Sequence, residues 1–155
     1  MWRYLGLALT VLVLDQASKL AAVKYLAAGD IALAPFLNLS LVYNTGAAFG
    51  MLNDAGGWQN GLFIAVAVLV SIGIVWMMRR ESPQGGYALG FILGGALGNV
   101  IDRLRLGRVV DFVDFHIGDW HWYVFNIADA AITVGAVLLA LHAFGVRWPS
   151  RASAP

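Results

Sequence analysis

The sequence predicts an all-α membrane protein: four transmembrane helices, with a small β-containing extracytoplasmic platform between spans one and two. Three observations lead there. The 155 residues are 60% hydrophobic and 12% charged, with mean hydropathy +0.73; a soluble domain carries about 25% charge. The apolar residues gather into four long runs, each able to cross a hydrocarbon core of about 30 Å at 1.5 Å per residue. Residues 30–57 break the pattern with alternating polarity, glycine and asparagine.

Residues 4–26 form the first span. Arg3 and the uncharged run 4–14 resemble the start of a signal peptide. Asp15 ends that run and no clear small-residue cleavage site follows, so an uncleaved span is expected. Asp15 and Lys19, at i,i+4, share a face and can pair; Lys24 can snorkel to the interface. Residues 31–42, with Pro35 and the alternation from Asn38 to Val42, suggest short strands. The run NTGAAFG at 44–50 and the glycines and asparagine of 51–57 mark turns. Their apolar content is too high for disorder, so this segment reads as a partly embedded platform.

Residues 61–78 carry no charge and form the second span, stopped by Arg79, Arg80 and Glu81. The third span covers 87–106. Its Gly90, Gly94 and Gly98 make a stripe of small residues that lets another helix approach closely. Further along, Asn99, Asp102 and Arg103 share a face at i, i+3 and i+4. Residues 107–122 are a second outside segment whose Phe112, Phe115, Trp120 and Trp122 suit an interfacial belt. The fourth span covers 123–146, and the tail 149–155 is expected to be disordered. Residues 1–148 thus read as one integral-membrane domain. Arg3, Arg79, Arg80, Arg147 and Arg151 fall on one side. Lys24, Arg105 and Arg108 fall opposite, diluted by five aspartates. The positive-inside rule puts both termini in the cytoplasm.

Several chemistries are excluded. A net charge of +1 without a basic stripe gives no nucleic-acid partner. The absence of cysteine removes disulfides, thiolate nucleophiles and Cys-ligated metals. His116 and His121 lack the helical spacing of a metal pair. Ser18 and Lys19 are adjacent, so they point to different helix faces. The glycines of 94–98 sit in an apolar span, where helix packing explains them better than a phosphate loop.

What remains is acid. Four of the nine acidic residues fall within 106–130, and carboxylates at a membrane edge are costly to keep. The topology collects Asp15, Lys19, Asn44, Asn99, Asp102, Arg103, Asp111, Asn126 and Asp129 at one depth, around a pocket open to the outside. Two carboxylates there can share a proton, one activating water while the other polarises an amide carbonyl; their titrations would be coupled. Spacing alone does not select the pair among Asp102, Asp111, Asp114, Asp119 and Asp129. Asp129 ranks first, because it is set into a helix among apolar residues. Asp119 reads as a solvated turn residue and Asp114 as interfacial. Two rivals remain: a proton-coupled transporter, which usually needs its acid near midplane, and a non-enzymatic assembly factor.

Five motifs in order carry a resemblance: DQASK at 15–19, NTGAAFG at 44–50, GGALGNVIDR at 94–103, VVDF at 109–112 and FNIADA at 125–130. Together they resemble the lipoprotein signal peptidases, or signal peptidase II. The resemblance implies a bacterial inner-membrane aspartic endopeptidase. Such enzymes remove signal peptides from diacylglyceryl-modified prolipoproteins, cutting just before the lipidated cysteine. It implies that Asp111 and Asp129 are the catalytic dyad, with supporting roles for Asp15, Lys19, Asn44, Asn99, Asp102, Arg103 and Asn126. The active site would face the extracytoplasmic side. No metal or organic cofactor is implied, and the partners are the prolipoprotein substrate and membrane lipids; a monomer is expected. The family pattern assigns Asp114 no role. Apolar grooves between spans would hold acyl chains, and the two outside segments would clamp the peptide above the dyad.

Overall fold

The computed structural model describes residues 1–46 and 57–146. Residues 47–56, which hold most of the turn region, and the tail 149–155 expected to be disordered lie outside the described residues. The elements run α1 (Trp2–Tyr25), β1 (Ile31–Ala34), β2 (Leu37–Asn44), α2 (Trp58–Met77), α3 (Pro83–Leu106), β3 (Val109–Ile117), β4 (Trp120–His121) and α4 (Ile127–Ala143).

Helix α3 is the centre, packed against α1, α2 and α4. Its glycines explain why. A Cβ on Gly94 would lie 2.5 Å from the Ala8 carbonyl oxygen and 2.7 Å from Val11 Cβ, and one on Gly90 would lie 2.9 Å from the Tyr4 carbonyl oxygen. The expected glycine stripe is therefore the seat of α1. Gly95, on another face, meets Ala128 and Ile132 of α4. Tyr4, Ala8, Leu89 and Leu93 bury the far end of this contact, together with Ile74 and Met78.

Helix α3 begins earlier than residue 87. Pro83 occupies the first turn and the Ser82 hydroxyl accepts from the Gly85 amide, a pairing of N-cap and early proline that starts helices efficiently. It ends at Gly107, whose φ of 70° supplies the left-handed turn into β3. Helix α4 begins later than residue 123. Asn126 caps it, and residues before the cap are extended, with Phe125 bridged to Val113 of β3. Among the described residues two helices, α1 and α2, are long and apolar enough to cross a membrane, at mean hydropathy 1.4 and 2.2. Helix α2 leaves Leu62, Val66, Leu69, Ile72 and Trp76 exposed, an apolar surface far larger than water tolerates.

The expectation of an all-α protein with a platform drawn from residues 30–57 alone needs correction. The protein is mostly helical with a four-stranded antiparallel sheet in the order β1-β2-β3-β4. Half of the sheet comes from the segment after α3, which reads in sequence as an aromatic belt. The long strand β3 pairs with β2 through Val42 opposite Asp111 and Asn38 opposite Asp114. The first four residues of β3 are all buried, so the polar–apolar alternation of a half-exposed strand is absent.

The glycine seat gives a test. Gly94→Ala should destabilise the protein by about 1–3 kcal/mol, because the obstruction is backbone of α1. Gly73→Ala, which meets nothing within 4 Å, should be neutral or stabilising. Thermal unfolding in one detergent compares them; equal effects would discount the close approach.

Candidate active site

Helices α1, α3 and α4 and strands β2 and β3 bring polar groups to one place, and a buried cation organises them. Lys19 of α1 is 3% exposed and lies 2.9 Å from Asp15 Oδ2, 2.9 Å from Asp102 Oδ2 and 2.9 Å from Asn99 Oδ1. The expected i,i+4 pair is present, and it recruits a second carboxylate from α3. Each aspartate then accepts a backbone amide: Asp15 Oδ1 from Ala128 at the start of α4 (2.9 Å), and Asp102 Oδ2 from Val110 in β3 (3.1 Å). Gln16 Nε2 closes the cluster by donating to Asp102 Oδ1 at 3.0 Å and Asp15 Oδ2 at 3.2 Å. Buried ions need such complete satisfaction to be tolerated.

Asn99 carries the network forward. Its oxygen accepts from Lys19, and its Nδ2 donates to Asp129 Oδ1 at 2.8 Å. Asp129 is the third residue of α4 and forms a capping box. Its amide donates to Asn126 Oδ1 at 2.9 Å, and its Oδ2 accepts the Asn126 amide at 3.3 Å. The same Asn126 sends Nδ2 to Asp111 Oδ1 at 2.6 Å. Asn44, at the end of β2, donates to Asp111 Oδ2 at 3.1 Å. Asp111 and Asp129 thus come from a strand and a helix, each presented by asparagine amides.

A cavity of about 50 Å³, room for a few waters, is lined by Asn44, Asn99, Arg103, Val109, Asp111, Tyr123 and Asp129. Arg103 Nη2 donates to the Gly46 carbonyl at 3.0 Å, and its guanidinium lies 5.2 Å from the Phe63 ring centroid. Its Nε is buried and finds no acceptor among the described residues. Burial pushes the Asp111 carboxyl up to about 6, and the Asp129 charge adds to the rise; hydrogen bonds from Asn44 and Asn126 and the Lys19 charge oppose it. A carboxyl so placed holds a proton in the range where general acid–base work is done.

The expected face of Asn99, Asp102 and Arg103 is split. Asn99 and Arg103 reach the cavity, while Asp102 turns to α1 and joins Asp15 and Lys19 behind it. Asp114 is placed away from the cavity. It is buried on β3, with His121 Nδ1 at 2.8 Å from Oδ1 and 3.0 Å from Oδ2, and Asn38 Nδ2 at 3.5 Å. His121 in turn stacks on His116 at 4.9 Å. Sequence reasoning passed over Gln16 and Tyr123. Gln16 lies within the DQASK motif, so its signal was present; Tyr123 was counted as the first residue of a span.

Comparison with known proteins gives a consistent pattern. Residues 7–145 match the family model described as signal peptidase (SPase) II. The chain is 53% identical over 139 residues to a lipoprotein signal peptidase of Burkholderia mallei, covering 88% of this chain and 84% of that protein. It is 52% identical over the same length to a lipoprotein signal peptidase of Paraburkholderia phymatum, again covering 88% and 84%. A solved bacterial membrane enzyme, determined by the in meso method at 2.3 Å resolution, superposes with a TM-score of 0.84 at 27% identity, covering 99% of this chain and 96% of that one. A second, at 1.9 Å resolution, superposes with a TM-score of 0.80 at 28% identity, covering 92% and 93%.

Two outcomes follow. Lys19→Met leaves Asp15 and Asp102 buried without their cation and should cost about 3–5 kcal/mol in thermal or denaturant unfolding; a loss under 1 kcal/mol would show the cluster to be dispensable. For Asp111, the folded pKa of about 6 lies above the unfolded 3.8. Its contribution to stability is therefore fully present below pH 3.8 and lost as pH rises through about 6. Wild type should lose stability relative to Asp111→Asn between pH 4 and 7; parallel curves would contradict the raised value.

Proposed function

This chain belongs to the signal peptidase II family, and on that premise we propose that it is an aspartic endopeptidase of the bacterial inner membrane. It removes the signal peptide from diacylglyceryl-modified prolipoproteins, cutting just before the lipidated cysteine. Asp111 and Asp129 are its catalytic pair. The observation that carries this reading is that these two carboxylates, alone among the described acidic residues, line one small cavity together.

Four helices cross the bilayer, with both termini in the cytoplasm and the sheet outside. Helix α4, with 17 residues, is shorter than the other three, and α3 carries Asp102, Arg103 and Arg105 in its outer end. Asp102 and Arg103 belong to the polar network around the site. The scissile bond of a membrane-borne signal peptide then arrives at the level of the dyad.

One carboxylate takes a proton from a water held between the pair, and the resulting hydroxide attacks the carbonyl carbon. The other carboxyl, protonated, donates to the carbonyl oxygen as negative charge develops there. Collapse of the tetrahedral intermediate returns a proton to the departing amine of the cysteine. Asn99 and Asn126 hold the carboxylates in place, and Asn44 holds Asp111 from the sheet side. The Arg103 Nε–H, which has no acceptor among the described residues, is placed to donate to a substrate backbone carbonyl. An apolar groove of about 330 Å³ starts at Asp129 and runs between Trp122, Tyr123 and Phe125 on one side and Thr133 and Val134 on the other. Its chemistry suits an acyl chain or an apolar lipobox side chain.

Cleavage of a diacylglyceryl-modified lipobox peptide by the purified protein tests the reading. Asp111→Asn and Asp129→Asn should each reduce turnover to background while the fold is kept, and Asp114→Asn should retain it. If Asp114→Asn is inactive and Asp111→Asn is not, the pair is misassigned.

A further inference from the structure

Helices α1 and α2 both pack on α3, and the space left between them is a groove of about 610 Å³. Leu5 of α1, Val68, Ile72 and Val75 of α2, and Leu93 and Leu97 of α3 line it. Ser71, also on the wall, spends its hydroxyl on the Ala67 carbonyl at 2.7 Å, so the groove offers a visitor carbon and little else. Arg79 lies at its end, one turn beyond Trp76, and Arg80 stacks over the Trp76 ring at 5.8 Å. Both arginines are exposed, and neither takes part in an ion pair among the described residues. The adjacent acid, Glu81, is turned away from them: its Oε1 lies 3.3 Å from His142 Nε2 and accepts the Ser82 amide at 2.9 Å.

We propose that this groove and the Arg79–Arg80 pair form a binding site for an anionic phospholipid of the cytoplasmic leaflet. The inference rests on the membrane placement above, which puts Arg79 at the cytoplasmic face. One acyl chain lies along α2 between Leu93 and Ile72, and the phosphate meets the guanidinium groups. Arginine suits a phosphate because its planar fork donates two parallel hydrogen bonds. Basic pockets between helices on the cytoplasmic side select anionic headgroups in this way. Charge argues against other occupants. A signal peptide begins with a positively charged segment, which Arg79 and Arg80 would repel at this level. A second copy of the chain, related by a two-fold axis along the membrane normal, would bring two arginine pairs together. The arginine end of the site lies at the opposite end of α3 from Asn99 and Arg103 of the Asp111–Asp129 cavity, so it serves the bundle: it fills the groove left between α1 and α2 where both pack on α3.

Native mass spectrometry of the full chain, released from micelles containing equal phosphatidylglycerol and phosphatidylcholine, reads the occupancy. One phosphatidylglycerol should remain bound per protein, with little phosphatidylcholine. Arg79→Gln with Arg80→Gln should weaken retention of phosphatidylglycerol by about tenfold or more, and Val75→Trp should block the groove for both lipids. Cleavage of the lipobox peptide is measured alongside and should be unchanged in the arginine double variant, since neither residue touches the reaction cavity. Equal retention of the two lipids, or unchanged phosphatidylglycerol retention in the double variant, overturns the proposal. So does a photocrosslinker at position 72 that captures the prolipoprotein or a second copy in place of lipid. Loss of cleavage by wild type itself would instead strike at the peptidase reading.

Discussion

A single ammonium group, Lys19 Nζ, holds the end of the molecule beside the sheet together. It compensates two carboxylates that are almost fully buried, Asp15 and Asp102. Those carboxylates also accept the amides of Ala128 and Val110. One ion cluster therefore sets three things at once: how α1 lies on α3, where α4 starts, and where β3 leaves the helix. Isolated buried charges are unaffordable in free-energy terms, so every member needs every other. That interdependence gives the site a single geometry.

The cluster acts on the cavity through neutral amides. Asn99 stands between Lys19 and Asp129, and Asn126 stands between Asn99 and Asp111. A lysine in direct contact with Asp111 would hold its carboxyl down. Asparagine transmits position while passing on little charge. The result is visible at Asp111, where burial and the neighbouring carboxylate outweigh the amide donors and the distant ammonium, leaving the pKa near 6. Arg103 lines the same cavity, and its guanidinium is partly engaged by the Gly46 carbonyl and the Phe63 ring.

The two carboxylates are held by unlike elements. Asp129 is locked into the first turn of α4 by its capping box, and Asp111 rides on a buried strand tied to β2. A strand and a helix terminus have few shared soft motions, so their relative position is set by the packing between them. The sheet also brings Asn44 from the segment between α1 and α2 to Asp111. Thus the platform contributes directly to the cavity.

Much of this was legible in the sequence. Long uncharged runs announced the helices, the i,i+4 spacing announced the Asp15–Lys19 pair, and glycine every four residues announced the seat of α1 on α3. These are local signals, governed by periodicity and by the cost of charge in oil. The boundaries of α4 were less legible, because aromatic residues before Asn126 extend the apolar run even though the cap ends the helix. Strand β3 was hidden for a different reason: buried on both faces, it shows no alternation, so it reads as an interfacial belt. The choice between Asp111 and Asp114 followed from that. Once residues 109–117 are a strand, two aspartates three apart point to opposite faces; one meets Asn126 and the cavity, the other meets His121. The sequence by itself determined that expensive acids gather in one short stretch of an otherwise apolar chain. Only the tertiary structure decided which of them meet, because strand pairing over some 70 residues of chain leaves no mark in local composition.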